Sequence, residues 1–190
     1  MNDQKFLRET YPFDPETGTY TIPMSIERYA DFFTDLDPSP FPKRDLASDL
    51  ITYLKQCSDE IPVSSAVLLE ILIRTNPHNP QSEQECTAGL RSFYHHEMFV
   101  EGSEIRRKRW SAFRYLLVSL LSLSAYIATE KFSAHGFLLD LGREALLIGG
   151  WLFMWEAVTV NFIEMDKHYQ AIKKFKRLIQ AKINFIYPSS

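Results

Sequence analysis

Along most of the chain apolar and polar residues alternate at short range, but in two runs, residues 112–129 and 145–163, charge nearly disappears. Residues 112–129 carry one charged side chain, Arg114, and residues 145–163 carry one, Glu156. A helix needs about 20 mainly apolar residues to cross roughly 30 Å of hydrocarbon, so both runs predict membrane spans joined as a hairpin.

Before the hairpin the pattern changes from turn to strand to helix. Tyr11 to Thr19 contains Pro12, Pro15 and Gly18, and residues 19–22 are rich in β-formers, which predicts a turn and a short strand. Ser25 then precedes Ile26, Tyr29, Phe32 and Phe33 at helical spacing, predicting a helix of one to two turns. Pro38, Pro40 and Pro42 stop it, because proline lacks an N–H and biases its predecessor to extended backbone. A second helix is expected over 45–57, with Leu46, Leu50, Ile51 and Leu54 on one face, and a buried strand over 64–74. Pro77 to Pro80 form a loop, after which Ser82 and Glu85 read as a capping box opening a helix that nothing but Gly102 interrupts before the first span. The order is β-α-α-β-α, a small two-layer α+β domain over residues 1–104. After the hairpin (105–163), Met165, Ile172, Ile179 and Ile186 repeat every seven residues, predicting an amphipathic helix over 164–186 that ends before Pro188.

Net charge is −3, yet residues 1–104 hold eighteen Asp and Glu against eight Lys and Arg, and residues 105–190 hold six against thirteen. The acidic N-terminal region argues against nucleic acid as a partner, since phosphate backbones need a basic surface. Arg106, Arg107, Lys108 and Arg109 precede the first span and Lys167, Lys173, Lys174, Lys176, Arg177 and Lys182 follow the second, whereas the connection offers only Lys131 and Arg143 against Glu130, Asp140 and Glu144. Positive flanks stay cytoplasmic, so both termini are expected in the cytoplasm. Met1 to Lys5 show no charged-then-apolar signal pattern, so no cleavage or export is expected. Cys57 and Cys86 fall in the cytoplasmic region, where reduced, structural thiols are the expectation.

Glu156 is the sharpest chemical candidate, because an ionisable group at membrane depth is costly and turns toward a partner or a path. Arg114, Ser119, Ser122 and Ser124 on the first span are its available partners. Structural pairing is one reading; proton or ion handling is the other. Gly149, Gly150, Ser124 and Ala128 are small enough to let helices approach closely, and Trp151 and Trp155 share a face for lipid or helix packing. The basic face Lys173, Lys174, Lys176 and Arg177 suits anionic lipid or packing against the acidic domain and the helix entering the first span. His95 and His96, adjacent on a helix, point about 100° apart and cannot both hold one metal. Asp35, Asp37, Asp45 and Asp49 read as caps and solvated charge. Gly-rich phosphate loop, nucleophile elbow and zinc spacing are all missing, so no cofactor, metal or catalytic residue is expected.

Ser25-Ile26-Glu27-Arg28-Tyr29, Asp37 to Phe41, Arg44-Asp45-Leu46 and Ile148 to Ala157 resemble segments of an uncharacterised group of bacterial two-span membrane proteins. The resemblance spans most of the chain. It implies the two-span architecture and a bacterial cytoplasmic membrane, and brings no activity or site. The expected function is a membrane-anchored, non-enzymatic binding or scaffolding module that self-associates or holds a protein partner. The alternative is a small oligomeric channel or proton-coupled component built on Glu156.

Overall fold

A computed structural model of the chain describes residues 3–40, 43–75, 78–129 and 136–188, with side chains from Leu7 onward. Phe41, Pro42, Pro77, Glu130 and Lys131, named above, lie outside the described residues. The fold is mixed α and β, with two compact units: residues Met1–Phe99 with Gln170–Ser190, and residues Val100–Tyr169.

The first unit is built on a four-stranded sheet of order β1-β2-β3-β4. Strand β1 (Phe13–Asp14) pairs antiparallel with β2 (Thr19–Ile26) through a turn in which Gly18 takes φ 65°, a left-handed angle that glycine adopts without Cβ strain. Asp14 closes the turn by accepting the Glu16 N–H at 3.0 Å and the Thr17 hydroxyl at 2.6 Å. Strands β3 (Ala66–Ile73) and β4 (Lys182–Ile186) extend the sheet in parallel, β2 beside β3 and β3 beside β4. Parallel neighbours need crossover connections. Helix α2 (Ser48–Glu60) lies in the first crossover. The second runs through α3 (Pro80–Thr129), α4 (Phe137–Thr159), a π-helical turn at Val160–Glu164, and α5 (Met165–Gln180). Both apolar runs therefore sit inside a single β-to-β crossover.

Alternation in the strands selects which sheet face is packed. Tyr20 and Ile22 of β2 and Val67, Leu69, Ile71 and Ile73 of β3 are buried with Leu54 and Cys57 of α2, Leu90 and Tyr94 of α3 and Leu178 of α5. Thr19 and Thr21, on the other face, remain half-buried. Helix α1 (Asp3–Thr10) adds Leu7 to the core margin.

Four local expectations change. The helix expected from Ile26 is replaced by β2, which pairs with β3 as far as Ile26 opposite Ile73, and only a 3-10 turn, Tyr29–Phe32, follows. Pro23 tolerates this because β1 reaches only Tyr20, leaving that side of β2 without a ladder partner. Helix α2 starts at Ser48 rather than 45, since the Asp45 N–H donates to Asp37 and the Ala47 N–H to the Phe32 carbonyl. The amphipathic helix expected to reach Ile186 ends at Gln180; Ile183 and Phe185 pack on the core from β4, an alternating pattern that the seven-residue repeat had masked. The α3 cap is Asn79, whose side chain accepts the Gln81 and Ser82 N–H groups ahead of Ser82, with Pro80 in the first turn.

The second unit holds parts of helices Pro80–Thr129 and Phe137–Gln180, each of which contains a window long and apolar enough to cross a membrane, and only 11% and 17% of those windows is buried in the protein. Core helices of a soluble protein would be mostly buried. Trp110, Leu121, Ile148, Leu152 and Phe162 are among the large apolar side chains left exposed.

Candidate functional site

The hairpin is fixed by small residues and hydroxyls. Gly150 is buried against Leu123, the Ser119 hydroxyl donates to the Gly150 carbonyl at 2.7 Å, and the Ser122 hydroxyl donates to the Leu146 carbonyl at 2.8 Å. Tyr115 stacks on Phe153 with ring centroids 6.2 Å apart. Gly149 is less enclosed, with no atom within 4 Å of where its Cβ would stand. Elsewhere in this unit Lys108 pairs with Glu164, His168 meets Glu101 at 2.5 Å and Arg109 donates to the Tyr169 hydroxyl at 3.0 Å.

These contacts set a register that decides where the expected charged pair lies. With Tyr115 facing Phe153 and Ser119 facing Gly150, Arg114 stands opposite Met154 and Trp155, one or two residues from Glu156. At 1.5 Å rise per residue, the two charges share a level to within about 3 Å. They do not meet. Arg114 is exposed and donates to the Ser111 hydroxyl at 3.1 Å, while Glu156 is exposed and has no hydrogen-bond or ion-pair partner among the described residues. Ser119 and Ser122, expected to hold Glu156, are committed to α4 carbonyls instead, and Ser124 is exposed. Trp151 and Trp155 are 60% and 69% exposed.

The basic face of α5 divides. Arg177 is buried: its guanidinium donates to the Ser58 carbonyl at 2.7 Å, the Ser58 hydroxyl at 2.8 Å, the Ile61 carbonyl at 3.1 Å and the Pro62 carbonyl at 2.6 Å. It thereby satisfies carbonyls that the end of α2 leaves open. Burial pulls its pKa below the usual arginine value. Lys174 pairs with Asp59 at 2.8 Å. Lys173 and Lys176 stay exposed beside a groove of about 900 Å³ at the amino ends of β2, β3 and β4.

No protein-family model, curated protein or solved structure matches this chain. The functional reading therefore rests on its residues.

Two arrangements were not legible in the sequence. At the carboxyl ends of the strands, the Tyr29 and Tyr187 hydroxyls lie 2.6 Å apart, Tyr187 donates to Glu83, and His78 Nδ1 stands 2.9 Å from Glu83. Desolvation, with the Glu83 and Tyr29 hydrogen bonds, pushes the Tyr187 phenol well above its usual pKa. This network ties the segment after β4 to the start of α3. The second arrangement is the Arg177 lock. In the sequence Arg177 is one more residue of the basic run with Lys173, Lys174 and Lys176. His95 and His96 are exposed on α3, and among the described residues no cluster of three metal-ligating side chains occurs. Of the aspartates, Asp37 is organised, accepting the Ser39 and Asp45 N–H groups at 2.9 Å; the Ser39 bonds hold it below the usual carboxylate range.

Proposed function

We propose that this chain is a membrane-anchored binding or scaffolding module of the bacterial inner membrane, non-enzymatic, with both termini cytoplasmic, and that it assembles through its hairpin. The observation that carries this reading is the pair Arg114 and Glu156, opposite charges at one level of the hairpin, both exposed and unpaired with each other. An isolated carboxylate facing hydrocarbon costs at least about 2.5 kcal/mol on the mildest scales. A second copy related by a twofold axis supplies the missing arginine twice, once for each carboxylate.

The test is the oligomeric state in detergent and in nanodiscs. Wild type is expected as a dimer or larger, Glu156→Leu shifted toward monomer, and the exchange Arg114→Glu with Glu156→Arg restored to the wild-type state. A wild-type monomer in both media would end this reading. The alternative, in which several protomers line a path with Glu156, draws on the same outward carboxylate. It predicts pH-dependent flux in liposomes that Glu156→Gln abolishes while the oligomer persists.

A further inference from the structure

The sheet unit holds a second site whose residues are separate from the hairpin and which does not depend on self-association. Its groove of about 900 Å³ falls within the range of small-molecule sites, roughly 300–1,000 Å³. Lys173 and Lys176 of α5 and Lys182 at the start of β4 line it, and none of the three ammonium groups has an acidic partner among the described residues. The one carboxylate in the lining, Asp14, is already committed to the Glu16 N–H and the Thr17 hydroxyl. The sheet register aligns Thr21, Leu68 and Lys182 as neighbours in one row, with Thr19 beside Ala66 in the next, so hydroxyls and an ammonium share one sheet face. Arg177 also lines the groove. Its two terminal nitrogens are used, but its Nε–H is buried and finds no acceptor among the described residues.

We infer that this groove binds a phosphate-bearing anion. Three free lysines gathered in an otherwise acidic region concentrate positive potential where an anion can enter. Lysine ammonium groups bind phosphate as point charges, and the threonine hydroxyls supply further donors. The phosphate can belong to a soluble metabolite or to a lipid headgroup, since the recognising chemistry is the same.

The experiment titrates inorganic pyrophosphate onto the full chain in nanodiscs of zwitterionic lipid, read by calorimetry. Saturable binding is expected, weakened at least tenfold by Lys176→Gln with Lys182→Gln and unchanged by Lys174→Gln, whose lysine is spent on Asp59. Lys173→Gln alone should weaken binding less, and serves if the double variant melts differently from wild type. Nanodiscs containing phosphatidylglycerol separate the sources: a tenfold loss of pyrophosphate affinity assigns the site to lipid phosphate, and unchanged affinity assigns it to a soluble ligand. Absence of saturable pyrophosphate binding in zwitterionic nanodiscs, or equal affinity in the Lys176/Lys182 variant, overturns the inference.

Discussion

Gly150 packs directly against Leu123: a Cβ built on Gly150 would stand 2.7 Å from both Cγ and Cδ2 of Leu123 and 3.4 Å from its backbone nitrogen. The leucine cannot swing away, because its Cγ and backbone are involved as well as its tip. Gly150→Ala should therefore push the spans apart and cost about 1–3 kcal/mol of hairpin stability, more than the gain of about 1 kcal/mol in helix propensity returns. Gly149→Ala meets nothing within 4 Å and should be neutral or slightly stabilising. Unfolding of both variants in mixed micelles with increasing SDS compares them directly; equal behaviour would remove Gly150 from the packing seam.

Arg177 makes the opposite kind of contact, a buried cation held by neutral oxygens. Arg177→Met keeps most of the apolar stem but leaves the Ser58, Ile61 and Pro62 carbonyls without their donor. Unsatisfied buried acceptors cost about 1–3 kcal/mol each, so a loss of about 3 kcal/mol or more is expected in chemical denaturation. Arg177→Lys should recover only part of it, since one ammonium cannot span three carbonyls and a hydroxyl. A Met variant as stable as wild type would show that water replaces the guanidinium.

Burial pushes the Cys86 thiol up to about 12 from its ordinary 9.0, with Glu85 and Glu83 adding to the effect. Below about pH 8 the thiol is protonated in both folded and unfolded chains and contributes no slope. Between 9 and 12 the unfolded chain has released the proton while the fold retains it, so stability falls as pH rises. Tyr94, whose phenol burial also raises, acts in the same direction. Denaturation between pH 7 and 11 should show a decline starting above about pH 8 that is smaller in Cys86→Ala. Native protein should also resist iodoacetamide at Cys86 at pH 8.5. Fast alkylation without unfolding would contradict that burial.

Much of the architecture was legible because its signals are periodic or compositional. The two apolar windows, the strand from Ala66 to Ile73 and the unbroken helix through Gly102 follow from hydropathy and from the absence of a stop signal. What escaped depends on distant partners. Residues 182–186 form a strand only because β3 offers an open edge, and Ile26 is extended only because Ile73 lies opposite it. The candidate site divides in the same way. Sequence offered Arg114 as a partner for Glu156, but which way each faces depends on the helix rotation fixed by Gly150 and Leu123. Arg177 looked like one more surface charge until the end of α2 came to rest against it.

Topology gives a prediction of a different kind. Basic flanks on both sides of the hairpin should keep reporters fused at residues 1 and 190 in the cytoplasm and a reporter near Ser133, outside the described residues, on the far side. Reporter activity outside the cytoplasm at either terminus would reverse the orientation.

The placement of the hairpin inside the β3-to-β4 crossover predicts which piece of this chain folds alone. Residues 1–104 contain three strands and most of the core, but they lack Leu178, buried at 1% exposure, the Arg177 lock and the whole of β4. That fragment exposes the edge of β3, leaves the end of α2 uncapped and should be aggregation-prone or only partly ordered. Joining residue 99 to residue 170 with a flexible linker of about six residues restores every strand while removing the apolar spans. Residues 99 and 170 both belong to the sheet unit, so the linker joins two ends of one compact unit. The spliced protein should be soluble without detergent and unfold cooperatively, with circular dichroism of a mixed α and β fold. If residues 1–104 alone prove equally cooperative and soluble, then α5 and β4 are accessories to the sheet rather than parts of its core.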